Sequence, residues 1–210
     1  MSTWTSRAAV FALTLAAAGC VESGGAPVQR LAVQDGAVVV AGPAGYCIDR
    51  GGSRNSAESS FVLLLPCPTL SGAAGTRAPA TAAVLTASIL SGTLDDGQVA
   101  AVLPGLAAFF RSEPGRAALS RTGKADTVEV AEVAEREGVM YLRASDTSRP
   151  AGPRVEPEYW RAVLSIRGRL VTLSVLGMSD RPIGAREKRQ LLAAFVQSLE
   201  AANPGQAPGA

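Results

Sequence analysis

The stretch YWRAVLSIRGRLVTLSVLG, residues 159–177, does most to restrict what this chain can fold into. Two long apolar-rich arms meet at Arg167-Gly168, a dipeptide suited to a tight turn, so the segment reads as an antiparallel hairpin. A hairpin alone is marginal in water and needs further strands or a helix to bury its apolar side. The chain supplies a helix directly afterwards. AREKRQLLAAFVQSLEAA sets Leu191, Phe195 and Leu199 four residues apart, with Leu192 and Val196 beside them and the charges opposite. That spacing predicts an amphipathic helix lying on a sheet. Asn203-Pro204 stops it, and residues 203–210 read as a frayed tail.

The rest of the chain reads as partners for that hairpin. DTVEVAEVAEREGVMYLRAS is a second hairpin with a Glu-Arg-Glu-Gly turn, and its alternation marks one wet face. FVLLLPC and TAAVLTASIL are almost continuously apolar, which predicts strands buried on both faces at the centre of the sheet. LAVQDGAVVVAG folds at Asp35-Gly36, and GYCID continues as extended chain. RGGSRNSAESS, residues 50–60, reads as a loop, with or without one helical turn. Asp95 and Asp96 offer an N-cap for GQVAAVLPGLAAFFRS, in which Pro104 is expected to kink or divide the helix. A short helix follows from Pro114 to Arg121, and Ser148 to Glu158 is a Pro-rich loop. The fold class is therefore α+β. An antiparallel sheet of about six or seven strands carries a C-terminal amphipathic helix and a broken central helix.

The N-terminus is of another kind. Arg7 precedes an uncharged run from Ala8 to Gly19, which ends in Ala17, Ala18 and Gly19 directly before Cys20. This is the layout of a bacterial export signal. Such a run spans about 18 Å as a helix, short of the ~30 Å hydrocarbon core. A buried helix is the other reading, but the run is apolar on all sides and VESGGAP follows it. AAGC resembles the lipobox of bacterial lipoproteins, with Ala17 where Leu is commonest in that family. The resemblance implies that Cys20 receives a thioether-linked diacylglycerol and becomes the mature N-terminus. Acyl chains contribute ~0.8 kcal/mol per buried CH₂, enough together to hold a domain on a membrane. Val21 stands where an Asp would resemble an inner-membrane retention signal, so the periplasmic face of the outer membrane is the expected location. The chain then divides into a signal peptide (1–19), a flexible tether (20–29), a single α+β domain (30–202) and the tail (203–210).

Export frames the cysteines. There are three, and a lipidated Cys20 leaves Cys47 and Cys67 as an even pair in an oxidising compartment. They are expected to form a disulfide, worth about 3 kcal/mol in the chain-entropy account; two buried thiols are the other reading. Histidine is absent, so a zinc site lacks ligands and a Cys/His nucleophile cannot be built. No metal or cofactor is expected. Lys and Arg number 20 against 18 Asp and Glu, and aromatics make up 5%. That balance lacks the basic footprint and stacking platform of a nucleic-acid binder.

Catalytic patterns are incomplete. In GRAALSRTGKA the Gly123-Lys124 pair would need Gly at 118 and a hydroxyl at 125 to cradle phosphates, and both positions hold Ala. Ser120 with Lys124 or Lys188 is a formal Ser/Lys pair, read more simply as solvated lysines. Asp95-Asp96 reads as a cap and Glu156/Glu158 as loop residues before they read as acid and base. The remaining polar candidate lies between the cysteines. Arg50, Ser53, Arg54 and Asn55 either form an anion-binding nest or belong to a soluble loop with stapled ends. Tyr159 and Trp160 beside the Pro-rich loop either dock a partner or fill the core.

The order of elements is similar to the PsbP-like α/β/α sandwich, and GYCID followed by FVLLLPC resembles a group of small alphaproteobacterial exported proteins, some of which bear the name of cation-transport ATPases. Neither likeness carries an active site, and the missing phosphate loop argues against that name. The expected function is non-enzymatic: a lipid-anchored envelope domain presenting an interaction or assembly surface to an envelope protein. The alternative is a periplasmic small-ligand or anion-binding domain that uses residues Arg50 to Ser60.

Overall fold

Short turns set the antiparallel order of this computed structural model, which describes residues 28–71, 76–92, 96–149 and 154–205. Cys20, with the whole export segment, and Asp95 lie outside the described residues. Positive φ angles at Asp35-Gly36 (55° and 84°), Glu137-Gly138 (54° and 75°) and Arg167-Gly168 (50° and 71°) give each turn the type I′ hand that suits twisted strands. They join β1 (Arg30–Val33) to β2 (Val38–Ala41), β6 (Val128–Arg136) to β7 (Val139–Asp146), and β8 (Val155–Ile166) to β9 (Arg169–Met178). With β3 (Tyr46–Asn55), β4 (Ser59–Pro66) and β5 (Ala83–Leu90), the last four make one seven-stranded antiparallel sheet in the order β3-β4-β5-β9-β8-β7-β6. The helices are α1 (Cys67–Ser71), α2 (Asp96–Arg111), α3 (Glu113–Leu119) and α4 (Ala185–Ala202).

Each face of the sheet is covered over a different part. On one face α4 lies across β8 and β9, and the β1–β2 ribbon packs beside it. Leu192, Phe195 and Leu199 of α4 meet Leu85, Leu164, Leu173 and Val175 in a fully buried core. Each large apolar side chain so buried stabilises the fold by about 2 kcal/mol. Asn203 joins helix end to ribbon, its Nδ2 donating to Val39 O (2.8 Å) while Val39 N donates to its Oδ1 (2.9 Å). On the other face α2 and α3 cover the end of the sheet containing β6 to β8. There Leu119 packs with Leu142 and Tyr159, and the Tyr159 hydroxyl donates to Leu119 O at 3.1 Å.

Several expectations are corrected. Residues 50–60 are not a loop: Arg50 to Asn55 extend β3, and a short turn leads to β4. β4 and β5 are not buried on both faces, since their burial alternates and the residues facing away from α4 are half-buried. β9 holds the centre of the sheet. α2 runs unbroken through Pro104. The break in the central helix falls instead at Ser112, whose Oγ accepts from Gly115 N (3.3 Å) as the cap of α3. A Cβ at Gly115 would collide with the Phe109 carbonyl, so glycine permits this tight corner. The Pro-rich segment becomes strand from Val155, which puts Glu156 and Glu158 in β8. The expected disulfide, by contrast, is present: Cys47 and Cys67 are bonded, with Cα atoms 4.7 Å apart.

Candidate functional site

Because α4 lies over β8 and β9, the part of that face formed by β6 and β7 is left open. The register places Ala134 opposite Tyr141, Arg136 opposite Val139, and Arg143 opposite Trp160. Their exposed side and the flank of α4 enclose a groove of about 480 Å³. Val139, Tyr141 and Trp160 line it from the sheet, and Ala193, Val196 and Gln197 from α4. Ala193 is the small residue on this flank of the helix, with Arg189, Gln190, Gln197 and Glu200 around it. Trp160 is buried, and its Nε1 has no hydrogen-bond partner. A buried unpaired donor costs about 1–3 kcal/mol.

The rim is charged and uneven. Glu132 and Arg189 also line the groove, and Glu137, Glu200 and Arg136 stand near Tyr141. Burial, with the Glu137 carboxylate, raises the Glu200 carboxyl above its usual range. Burial also raises the Tyr141 phenol, with Glu200 and Glu137 adding to the rise and Arg136 opposing it. Two carboxylates that disfavour each other's charge form an acidic corner, and a cation entering there relieves the repulsion.

A chain of ion pairs adjoins the groove. Lys188, with a side chain only 2% exposed, lies 3.2 Å from Glu156 Oε2 and 3.4 Å from Glu158 Oε1. Arg143 continues the chain to Glu158 (3.6 Å) and Glu132 (3.9 Å). Glu156 Oε2 also accepts from Ile183 N at 3.2 Å and crowds Gly177, where a Cβ would overlap it. Lys188 is thus not the solvated lysine expected, and the two glutamates hold the start of α4 to β8. Breaking a buried pair by removing one partner is strongly destabilising, which fits a clamp better than an acid and base pair.

No family model matches the sequence, and no curated protein matches it. Function therefore rests on the geometry. Among the described residues no group of three or more His, Cys, Asp or Glu is arranged to hold a metal ion, and no helix is long and apolar enough to cross a membrane.

The sequence candidates are dispersed. Arg50 and Arg54 are exposed on the edge strand β3, and neither lines the groove. Ser53 Oγ donates to Asp49 O (2.6 Å) and accepts from Leu63 N (3.0 Å). Asn55 Oδ1 accepts from Gln34 N (3.3 Å) and from Ser60 Oγ (2.5 Å). These polar groups knit a bulged edge. Ser120 Oγ lies 3.1 Å from Thr127 Oγ1, and Lys124 is exposed. Trp160 fills core and lines the groove at once. The groove is not legible in the sequence, because it depends on how far α4 reaches across the sheet; the local sign is Tyr141 and Trp160 on strands beside an amphipathic helix.

Asp146 is the most heavily bonded carboxylate among the described residues, and nothing in its surrounding sequence singled it out. It is fully buried and accepts from Arg121 N (2.7 Å), Ser148 N (2.9 Å), Ser148 Oγ (2.8 Å) and Thr127 Oγ1 (2.9 Å), with Arg121 Nε at 3.2 Å. Burial pushes its carboxyl up, but the donated hydrogen bonds outweigh this and hold it at about 2. So committed, it ties the end of α3 to β7 and has no oxygen to spare for chemistry.

Proposed function

We propose that the chain is a non-enzymatic, lipid-anchored domain of the cell envelope that binds a segment of an envelope protein in the groove between α4 and β6–β7. The groove carries this reading. Its volume of about 480 Å³ suits a few side chains, and Val139, Tyr141, Trp160, Ala193 and Val196 give it an apolar part among charged and amide side chains. The acidic corner at Glu137 and Glu200 favours a basic residue in the bound segment. The partner is therefore a peptide segment with an apolar anchor next to a Lys or Arg.

Anchoring through Cys20 agrees with this reading. The chain enters the described fold beside β3, where Ile48 N donates to Val28 O at 2.7 Å. The groove lies at the β6–β7 end of the sheet, roughly 25–30 Å from β3 at about 4.8 Å per strand. A domain tethered at that entry leaves its groove uncovered by the tether's attachment point. The two likenesses drawn from the sequence, to lipoproteins and to the PsbP-like sandwich, agree with an exported binding domain. The test is a photoreactive residue at Gln197 of the full chain in its own membrane. It is expected to capture an envelope protein, and Ala193→Trp, which fills the groove, should abolish capture. Equal capture from the exposed Glu113, or capture unchanged by Ala193→Trp, would sink the proposal.

A further inference from the structure

On the sheet face opposite the groove, the partly buried Arg161 differs in its partners from Arg121 and Arg143, and shares with Arg116 and Arg169 elsewhere the lack of a carboxylate within ion-pair distance among the described residues. Arg121 is paired with Asp146, and Arg143 with Glu132 and Glu158. Arg161, half-buried in the middle of β8, has no carboxylate partner among the described residues. Its Nε donates to Ser174 Oγ at 3.1 Å, and its Cζ lies 5.1 Å from the centroid of the Tyr159 ring. The Tyr159 hydroxyl is already given to Leu119 O. Burial pulls the Arg161 pKa below its usual value, with the nearby Tyr159 opposing. A buried charge is ordinarily paired because desolvation is expensive. Here a hydroxyl and a ring face stand in for the anion.

The register shows what surrounds it. Arg161 pairs with Ser174, Ser174 with Thr86, and Thr86 with Leu63, so these residues form a row across β8, β9, β5 and β4 on one face. The neighbouring row on that face runs Val163, Thr172, Ser88, Phe61. Thr86, Ser88 and Thr172 are half-buried, and their hydroxyls make no side-chain hydrogen bond among the described residues. Leu63 and Phe61 beyond them are half-buried as well. α2 and α3 pack on this face at the β6 to β8 end, where Val163 and Ser174 are buried, while Thr172, Thr86, Ser88, Leu63 and Phe61 stay half-buried. One cation, a set of neutral donors and then apolar surface follow one another along about 14 Å, three strand spacings.

We propose that Arg161, Ser174, Thr86 and Thr172 form a binding site for an acyl carboxylate, with the carboxylate on the guanidinium and the chain running over Leu63 and Phe61. A single guanidinium with only neutral donors beside it matches a monoanion better than a dianionic phosphate. Its planar fork suits two carboxylate oxygens, and the hydroxyls complete their coordination. The apolar end of the strip explains why the anion carries a chain. This site shares no residue with the groove, so the two readings stand or fall separately.

The full chain in phosphatidylcholine nanodiscs is exposed to decanoate bearing a mid-chain diazirine, and the adducts are mapped by mass spectrometry. Labelling is expected within residues 59–90 and should fall with excess decanoate, but not with decanol or inorganic phosphate. Arg161→Met should weaken the competition by decanoate at least tenfold. Thr86→Val, a near-isosteric change that leaves the contacts of Arg161 with Ser174 and Tyr159 in place, should weaken it several-fold with the circular dichroism spectrum unchanged. Ala193→Trp should leave the labelling as it is. Labelling spread evenly over the chain, competition by phosphate equal to that by decanoate, or full competition in both Arg161→Met and Thr86→Val would overturn the proposal.

Discussion

Asp146 has no charged neighbour in sequence, yet the fold gathers donors from Arg121, Thr127 and Ser148 around it. Its folded pKa of about 2 lies below the unfolded value of about 3.9. For a depressed carboxyl the stabilisation is fully present above the unfolded pKa and is lost as pH falls through the folded one. The loss is on the order of 2 kcal/mol. Urea unfolding of Asp146→Asn and wild type should therefore differ most at neutral pH and converge between about pH 4 and pH 2. A gap that stays constant across that range would rule the account out. SDTS in sequence reads only as turn chemistry, because the partners that fix Asp146 come from elements up to 25 residues away. Lys188 misleads for the same reason: it falls among the charges of an amphipathic helix, and only the bulged start of β8 brings Glu156 and Glu158 to it. Arg161 sits in a strand of apolar residues, and the absence of a carboxylate beside it is a fact of register that no single strand contains.

The three hairpins with Gly at the turn were legible because a turn and its two flanking runs are local, and local patterns survive in the fold. α4 was legible for the same reason, through the spacing of Leu191, Phe195 and Leu199. Burial on the second face was not. FVLLLPC looks like a doubly buried strand, but Phe61, Leu63 and Leu65 meet no full layer of cover on their side. The polar segment 50–60 was read as a loop because Gly51, Gly52 and Ser53 have little intrinsic strand preference. Pairing with β4 and a register shift between Asp49 and Arg54 override that preference. The disulfide helps to impose the pairing, since Cys47 stands beside the end of β4 and Cys67 follows it directly. Cys47→Ala with Cys67→Ala should cost about 3 kcal/mol in unfolding experiments. The β3–β4 end should also exchange its amide hydrogens faster, while β8 and β9 remain protected. Equal loss of protection over the whole sheet would show that the bond stabilises only the global fold, not this hairpin.

At the scale of the molecule, the proposed lipid tether sets where the groove meets its partner. Residues 20–29, taken as fully extended, reach at most about 35 Å. In the proposed anchoring, a Cys20 held in a membrane keeps the domain within that distance of the bilayer. A tethered domain meets a partner in the same envelope at a concentration set by the tether, and this raises occupancy without any new contact. Cys20→Ser removes the acceptor thiol and leaves the described fold intact. Intact mass of the wild-type protein from the membrane fraction should show a chain that starts at Cys20 with diacylglycerol added. The variant should accumulate as unprocessed precursor or move to the soluble fraction, with unchanged thermal unfolding of the domain. Capture from Gln197 should then fall with it, although no groove residue has changed. A Cys20→Ser protein that is normally processed and equally membrane-bound would remove the anchor from the proposal. Loss of the anchor with undiminished capture would instead show that the groove finds its partner without the membrane.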